Sequence, residues 1–560
     1  MSYDLLLRNG TVVDGTGAPR YLADVAISDG RVAEIGKVKD GARKIIDASD
    51  LIVAPGFVDP HTHYDAQICW DPQISCSSWH GVTSVVMGNC GVGIAPCKPQ
   101  AREIAAWDLV NVESIPFDVL SKGVTWDWES FPSYMTAAEK RGSAINLGFI
   151  APLTPFRHTV MGEESMDRAA TADETARIAA LLREAVAGGA LGFSTTIGRQ
   201  HIGYRGRPLA CRLASRDELK AYCNVLRDLG KGAIEISLTQ NPPFMAESEL
   251  ELLDFLLTES QRKVTWLALF NSEAHPDASV ETLNQVEPLI RRGGIPQVTC
   301  KPLIFQLNMR NPFLFGAMSC WNRVFNQTVE TQKQIYRDPE FRNAFRATLK
   351  KAGGSINIMT MGHRFEVQEV GNPALKRYEG KTLADVGRER GTDGVDTLLD
   401  LAVEDDLRVN FVLPLMNADE SKIPQLICDP RTMIGLSDGG AHVDQLCDAG
   451  YCTYLIGTWA REKAAMSLEY AVKRLTSEPA DFFNLRGRGR IAVGNPADLA
   501  IFDFNTIGSP QRGEMRADLP GGGRRLVVPA TGVQHTVVNG TVVYEDGKYT
   551  GTKPGTVLRS

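Results

Sequence analysis

Between residues 56 and 488 short apolar runs alternate with amphipathic stretches of helical spacing, and that alternation leaves few folds open. Strand-like runs fall at 83–87, 144–150, 192–195, 233–238, 264–270, 355–359, 410–413 and 433–436, with helical spacing at 171–188, 215–229, 248–260, 396–403 and 468–475. Strands alternating with helices pair in parallel through helical crossovers. About eight such units predict an α/β fold, a (β/α)8 TIM-like barrel, whose active site lies at the C-terminal ends of its strands.

Both chain ends read differently. Short β segments at 3–7, 11–13, 23–27 and 32–35 are separated by Asn9-Gly10, Asp14-Gly15 and Asp29-Gly30, dipeptides that favour tight turns. Segments at 498–504, 533–538 and 541–544 repeat the style around Asn539-Gly540 and Asp546-Gly547. Neither end can bury a core alone. Residues 1–55 and 489–560 are therefore expected to form one composite β-sandwich domain, with the barrel spanning 56–488. Residues 275–345 interrupt the alternation with an aromatic-rich stretch around Phe305, Phe313, Phe315, Trp321 and Phe325. It reads equally as a lid or pocket wall and as a helical insertion with its own small core.

Composition excludes several classes. A net charge of -7 gives no electrostatic case for nucleic acid or an anionic membrane surface. No window is apolar enough to span a bilayer, and Met1 to Arg8 lacks the pattern of a secretory signal. Eleven cysteines at irregular spacing fit reduced thiols in a cytoplasmic protein better than a disulfide framework. Oligomeric state is left open.

The chemistry-bearing segment is Gly56-Phe-Val-Asp-Pro-His61-Thr-His63. Residues i and i+2 on an extended strand point to one side, so His61 and His63 can present two imidazoles to one divalent metal, with zinc the default. Cys90 follows a strand-like run and could ligate a metal or sit as a buried thiol. Asp438 ends the 433–436 run, where a carboxylate can bind metal and move a proton, or simply open a turn before Gly439-Gly440. His442 and Asp444 follow closely and read either as local structure or as metal or substrate contacts.

Taken in order, Gly56-Phe-Val-Asp-Pro-His61-Thr-His63-Tyr-Asp65, His80-Gly-Val-Thr-Ser-Val-Val-Met-Gly-Asn-Cys90-Gly and Gly435-Leu-Ser-Asp438-Gly resemble the amidohydrolase superfamily, in its D-aminoacylase (N-acyl-D-amino-acid deacylase) branch. Weaker echoes are Val112-Glu-Ser-Ile-Pro116, Trp126-Asp-Trp-Glu-Ser-Phe-Pro132, Gly192-Phe-Ser-Thr195 and the segment from Arg488 to Asp498. The resemblance implies a barrel enzyme that hydrolyses a C–N amide bond with metal-activated water. His61, His63 and Asp438 would form one metal position, Cys90 a ligand able to serve a second, and Asp438 the general base and acid.

One departure matters. The family's second metal position uses two further histidines on later strands, and the matching regions 233–239 and 264–270 contain none. The expectation is one metal per chain, with Glu235 the residue to inspect should there be two; its competing role is an ion pair. The expected substrate is a small-molecule amide of the N-acyl-D-amino-acid type. A cyclic or aryl amide and a non-catalytic ligand-binding barrel are the alternatives. A free substrate carboxylate would need a cation, for which Arg199, Arg205, Arg310 and Arg364 lie in loop-like stretches.

Overall fold

Eight parallel strands form the barrel in the computed structural model, which describes residues 2–241, 243–273, 275–351 and 358–560. They are β1 (Phe57–Thr62), β2 (Val82–Met87), β3 (Asn146–Phe149, continued by Ala151–Pro152), β4 (Gly192–Thr196), β5 (Ala233–Ser237), β6 (Val264–Leu267), β7 (Gly294–Val298) and β8 (Met433–Ile434). Each pairs in parallel with the next, and a bridge between Thr62 and Gly439 closes the ring between β8 and β1. Every residue of β1, β2, β4 and β5 is buried, as in a parallel sheet covered on both faces, and the polar residues among them are buried with the rest. The crossover helices Ala172–Ala187 and Arg216–Leu229 start at capping boxes. Thr171 and Ser215 accept the N–H of Glu174 and Glu218, whose side chains reach back to the caps.

The chain ends are stitched into a β-sandwich module of nine strands. Ile52–Pro55 lies between Tyr3–Val12, to which it is parallel, and Leu499–Phe502, to which it is antiparallel. Tyr3–Val12 pairs with Ala42–Asp47 along its first half and with Ile52–Pro55 at its end, so one long strand serves two parts of the sheet. Leu5, Leu7, Val25, Ile27, Leu499 and Ile501 pack into the buried cluster of this module. Asp29-Gly30, Asn539-Gly540 and Asp546-Gly547 all turn two-residue hairpins with positive φ at both positions.

Several expectations need correcting. Asn9-Gly10 does not end a strand. It is a register shift inside Tyr3–Val12, with Asn9 left-handed at φ 60°, and the chain continues in the same direction. The histidine pair lies at the end of Phe57–Thr62, the strand that follows Ile52–Pro55 of the terminal sheet. Residues 557–558 leave the module and pair with β3 of the barrel.

The excursion is larger than 275–345 and begins later, because Gly294–Val298 is a barrel strand. It lies between β7 and β8, where Leu303–Asn308, Glu366–Glu369 and Asn410–Met416 form a separate antiparallel sheet. The run at 410–413 thus belongs to this sheet and not to the barrel. Most of the strand expected at 355–359 lies outside the described residues, and Ile358–Met361 is a short helix. The excursion has its own aromatic core, where Trp321 packs on Phe315, Tyr336, Phe341 and Phe345 at centroid distances of 4.6 to 5.8 Å. Among the described residues no helix is long and apolar enough to cross a membrane.

Candidate metal centre and active site

The end of β1 delivers both imidazoles to one point. His61 Nε2 and His63 Nε2 lie 3.3 Å apart, and Cys90 Sγ is 3.6 Å from His61 Nε2. The three donor atoms lie within 4.8 Å of one another, the one such cluster of three among the described residues. Asp438 Oδ1 approaches from the β8 side, 3.4 Å from His61 Nε2 and 3.8 Å from His63 Nε2.

These distances suit a metal. With M–N near 2.0–2.1 Å and M–S near 2.3 Å, a tetrahedral site has N···N edges of roughly 3.4 Å and N···S edges of roughly 3.6 Å. Burial holds His61 down to about 3 and His63 well below the usual imidazole range, so both rings are neutral. Two neutral imidazoles that aim their Nε2 atoms at each other in a buried pocket need a shared cation or proton between them.

Two loops fix the other donors. Cys90 sits in left-handed backbone at φ 56°, after Gly88 at φ 86°. A Cβ at Gly88 would lie 2.2 Å from the carbonyl oxygen of Ile150, so this turn needs glycine. The Cys90 N–H donates to Glu235 Oε2 at 2.6 Å and the Gly91 N–H to Ser194 Oγ at 3.0 Å, which ties the loop to β5 and β4. Asp438, at φ 44°, is held by its neighbours. Ser437 Oγ donates to the His61 carbonyl, and the His63 N–H donates to the Gly439 carbonyl at 2.7 Å. A Cβ at Gly440 would fall 2.7 Å from the His63 carbonyl oxygen, so the glycines after Asp438 let the histidine segment pass. Burial, with Asp448 and Asp59 nearby, lifts Asp438 to about 7, while 16% of its side chain stays exposed.

Glu113 is the residue that sequence reasoning missed. It ends the helix Arg102–Glu113 and is buried, with Oε1 3.2 Å from His63 Nδ1, close in distance but without hydrogen-bond alignment. Burial, then Asp438 and Asp65, hold its carboxyl well above the usual range. The one signal was its place in the weak echo Val112-Glu-Ser-Ile-Pro116. Gln297, fully buried on β7, lies beside His61 in the same way. Both fit the outer shell that orients metal-bound histidines.

The remaining candidates separate. Glu235 is fully buried at the Cys90 main chain, with Oε1 unpartnered, and no lysine or arginine pairs with it among the described residues. His442 lines the cavity over the metal centre, packed against Phe313 and Phe305 at 4.8 and 5.7 Å. Burial pushes it down to about 4. Asp444 does not reach this cavity; it faces a second one, with Arg310 and Arg408. None of Arg199, Arg205, Arg310 and Arg364 lines the catalytic cavity. Arg205 stacks on Tyr204, and Arg364 lies 3.5 Å from Glu273. The excursion does wall the cavity, through Leu303, Phe305, Phe313, Leu314 and Ala317.

Comparison with known proteins agrees with this geometry. A family model described as the amidohydrolase family matches residues 44–544. A D-aminoacylase of Alcaligenes xylosoxydans xylosoxydans is 27% identical, covering 99% of this chain and 97% of that protein. A D-aminoacylase structure, described in terms of a binuclear metal center with one-metal activation and second-metal attenuation, superposes with TM-score 0.70 at 24% identity over the whole of both chains. An N-acyl-D-glutamate deacylase of Bordetella bronchiseptica, bound to zinc and a phosphonate mimic of the tetrahedral intermediate, has TM-score 0.70 at 22% identity, again over the whole of both chains. With its barrel, its β-sandwich module and its histidine pair, the chain belongs to the amidohydrolase family, metal-dependent hydrolases of C–N amide bonds other than peptide bonds.

Proposed function

We propose that this chain is a deacylase-type amide hydrolase that works with a single divalent metal, zinc by default, held by His61, His63 and Cys90, with Asp438 as proton carrier. The observation that carries the reading is the convergence of the three donors within 4.8 Å, with Asp438 Oδ1 3.4 Å from His61 on its other side. Where a second pair of histidines would come, the cavity has Ser237 at the end of β5 with Thr239 just after it, and Leu267 at the end of β6 with Phe270 just after it.

When bound, the metal would supply Lewis acidity toward the amide carbonyl and acidify water. His61 and His63 would hold it through Nε2, with Glu113 and Gln297 fixing the ring orientations. Asp438 would accept the proton of the attacking water at Oδ1 and deliver it to the leaving nitrogen as the C–N bond breaks. His442, between Phe305 and Phe313, would contact the substrate beside the reacting carbonyl.

Elemental analysis of the purified protein should find about one metal per chain, while Asp438→Asn keeps the metal and loses at least roughly a hundredfold in kcat on a panel of N-acyl amines. Two metals per chain, or an active Asp438→Asn variant, would overturn the reading.

A further inference from the structure

The cavity over the metal centre, of about 240 Å³, has a one-sided chemistry. Its wall is mostly apolar, set by Leu267, Phe270, Leu303, Phe305, Phe313 and Met416. Its polar groups away from the metal are neutral: Gln200, Gln240, Ser237, Thr239 and Thr299. Among the described residues no lysine or arginine lines it. His201 and His442 are the remaining basic side chains on the wall, and burial keeps both imidazoles uncharged near pH 7. The Glu113 and Asp438 carboxylates already face this space.

An N-acyl amino acid would bring a carboxylate into that enclosure. It would lose its hydration and find no fixed side-chain cation to replace it. A neutral amide with an aryl or bulky alkyl group would meet a matching wall, with glutamine and threonine side chains for its few polar atoms. We infer that the substrate of this site is a neutral, apolar carboxamide without a free carboxylate, recognised by the wall that the excursion between β7 and β8 supplies. This inference rests on the hydrolase reading and narrows it: the amide hydrolysis is kept, and the substrate is held by apolar surface with no carboxylate anchor.

The test is a matched pair offered to the full-length zinc-loaded protein: N-(2-phenylethyl)acetamide and N-acetyl-D-phenylalanine, which differ by the carboxylate. Calorimetric Kd and kcat/KM should both favour the neutral compound by at least tenfold. Gln240→Arg, at the half-buried rim, should reverse much of that preference by supplying the missing cation. Equal or tighter binding of the acid by the unmodified protein would overturn the inference, as would binding of neither compound. A neutral compound that binds tightly yet is never cleaved would leave the inference standing and sink the hydrolase reading.

Discussion

The Glu235 carboxylate accepts the backbone N–H of Cys90 at 2.6 Å, across the barrel interior from β5 to the loop after β2. The β5 position that the sequence offered as a possible metal ligand shapes the loop that carries Cys90. Glu235→Ala strands a buried N–H, a loss of about 1–3 kcal/mol, in a loop already held at positive φ. Glu235→Gln keeps a carbonyl oxygen for the same bond. Thermal melts and zinc competition with a chelator should show Ala clearly worse than Gln. Equal loss of zinc in both variants would mean that the Glu235 charge itself ligates.

Glu113 and Gln297 should act on the metal through the histidine rings. Glu113→Gln is expected to weaken zinc binding by about tenfold to a hundredfold while leaving the fold intact, since it sits 3.2 Å from His63 Nδ1. The readout is zinc affinity at fixed pH alongside circular dichroism. Unchanged affinity would reduce Glu113 to a wall residue of the cavity.

Much of this site could be read from the chain, and the losses have physical causes. His61 and His63 were legible because a two-residue period on a strand end fixes direction as well as position. Asp438 and Cys90 were legible as residues closing apolar runs. Glu113 was not, because it arrives on a helix end in a connection, where no periodicity says which way a side chain points. Strand β7 was hidden by Pro296 in its middle, a residue that argues against a central strand; here it pairs with Trp266 in parallel. The run at 410–413 was placed in the wrong sheet because apolar character reports burial and not the partner that provides it. The arginine candidates failed for the same reason: a loop-like context says nothing about which cavity a guanidinium enters.

Metal removal should make stability pH-dependent in a defined sense. In the metal-free protein Asp438 is lifted to about 7, with Glu113 and Glu235 also raised, in each case chiefly by burial. A carboxyl whose folded pKa lies above its unfolded value, about 4, leaves the protein most stable below that value. Stability is then lost as pH rises through the folded pKa. The metal-free protein should therefore melt progressively lower between about pH 4 and pH 7 relative to the metal-loaded form. Melting curves of both forms across that range check the sign. A gap that narrows as pH rises would contradict it.

The buried pair Arg157–Glu218 gives a stability prediction independent of metal. Both side chains are almost fully buried, and Arg157 Nη2 also donates to the carbonyls of Ser165 and Arg168. Glu218 has three further donors, since it accepts the N–H groups of Ala170 and Ser215 and the Tyr222 hydroxyl. The pair thus binds the helix Leu153–Met161 to the start of Arg216–Leu229, outside β3 and β4 of the barrel. Arg157→Met keeps most of the volume but leaves the Glu218 carboxylate buried without its countercharge, which costs about 3–5 kcal/mol. The double variant Arg157→Met with Glu218→Gln removes the stranded charge and should recover a large part of that loss. Urea unfolding of the metal-loaded protein reads both. If the double variant were no more stable than Arg157→Met, the loss would come from the carbonyls of Ser165 and Arg168, and the ion pair would not be the element that joins the two helices.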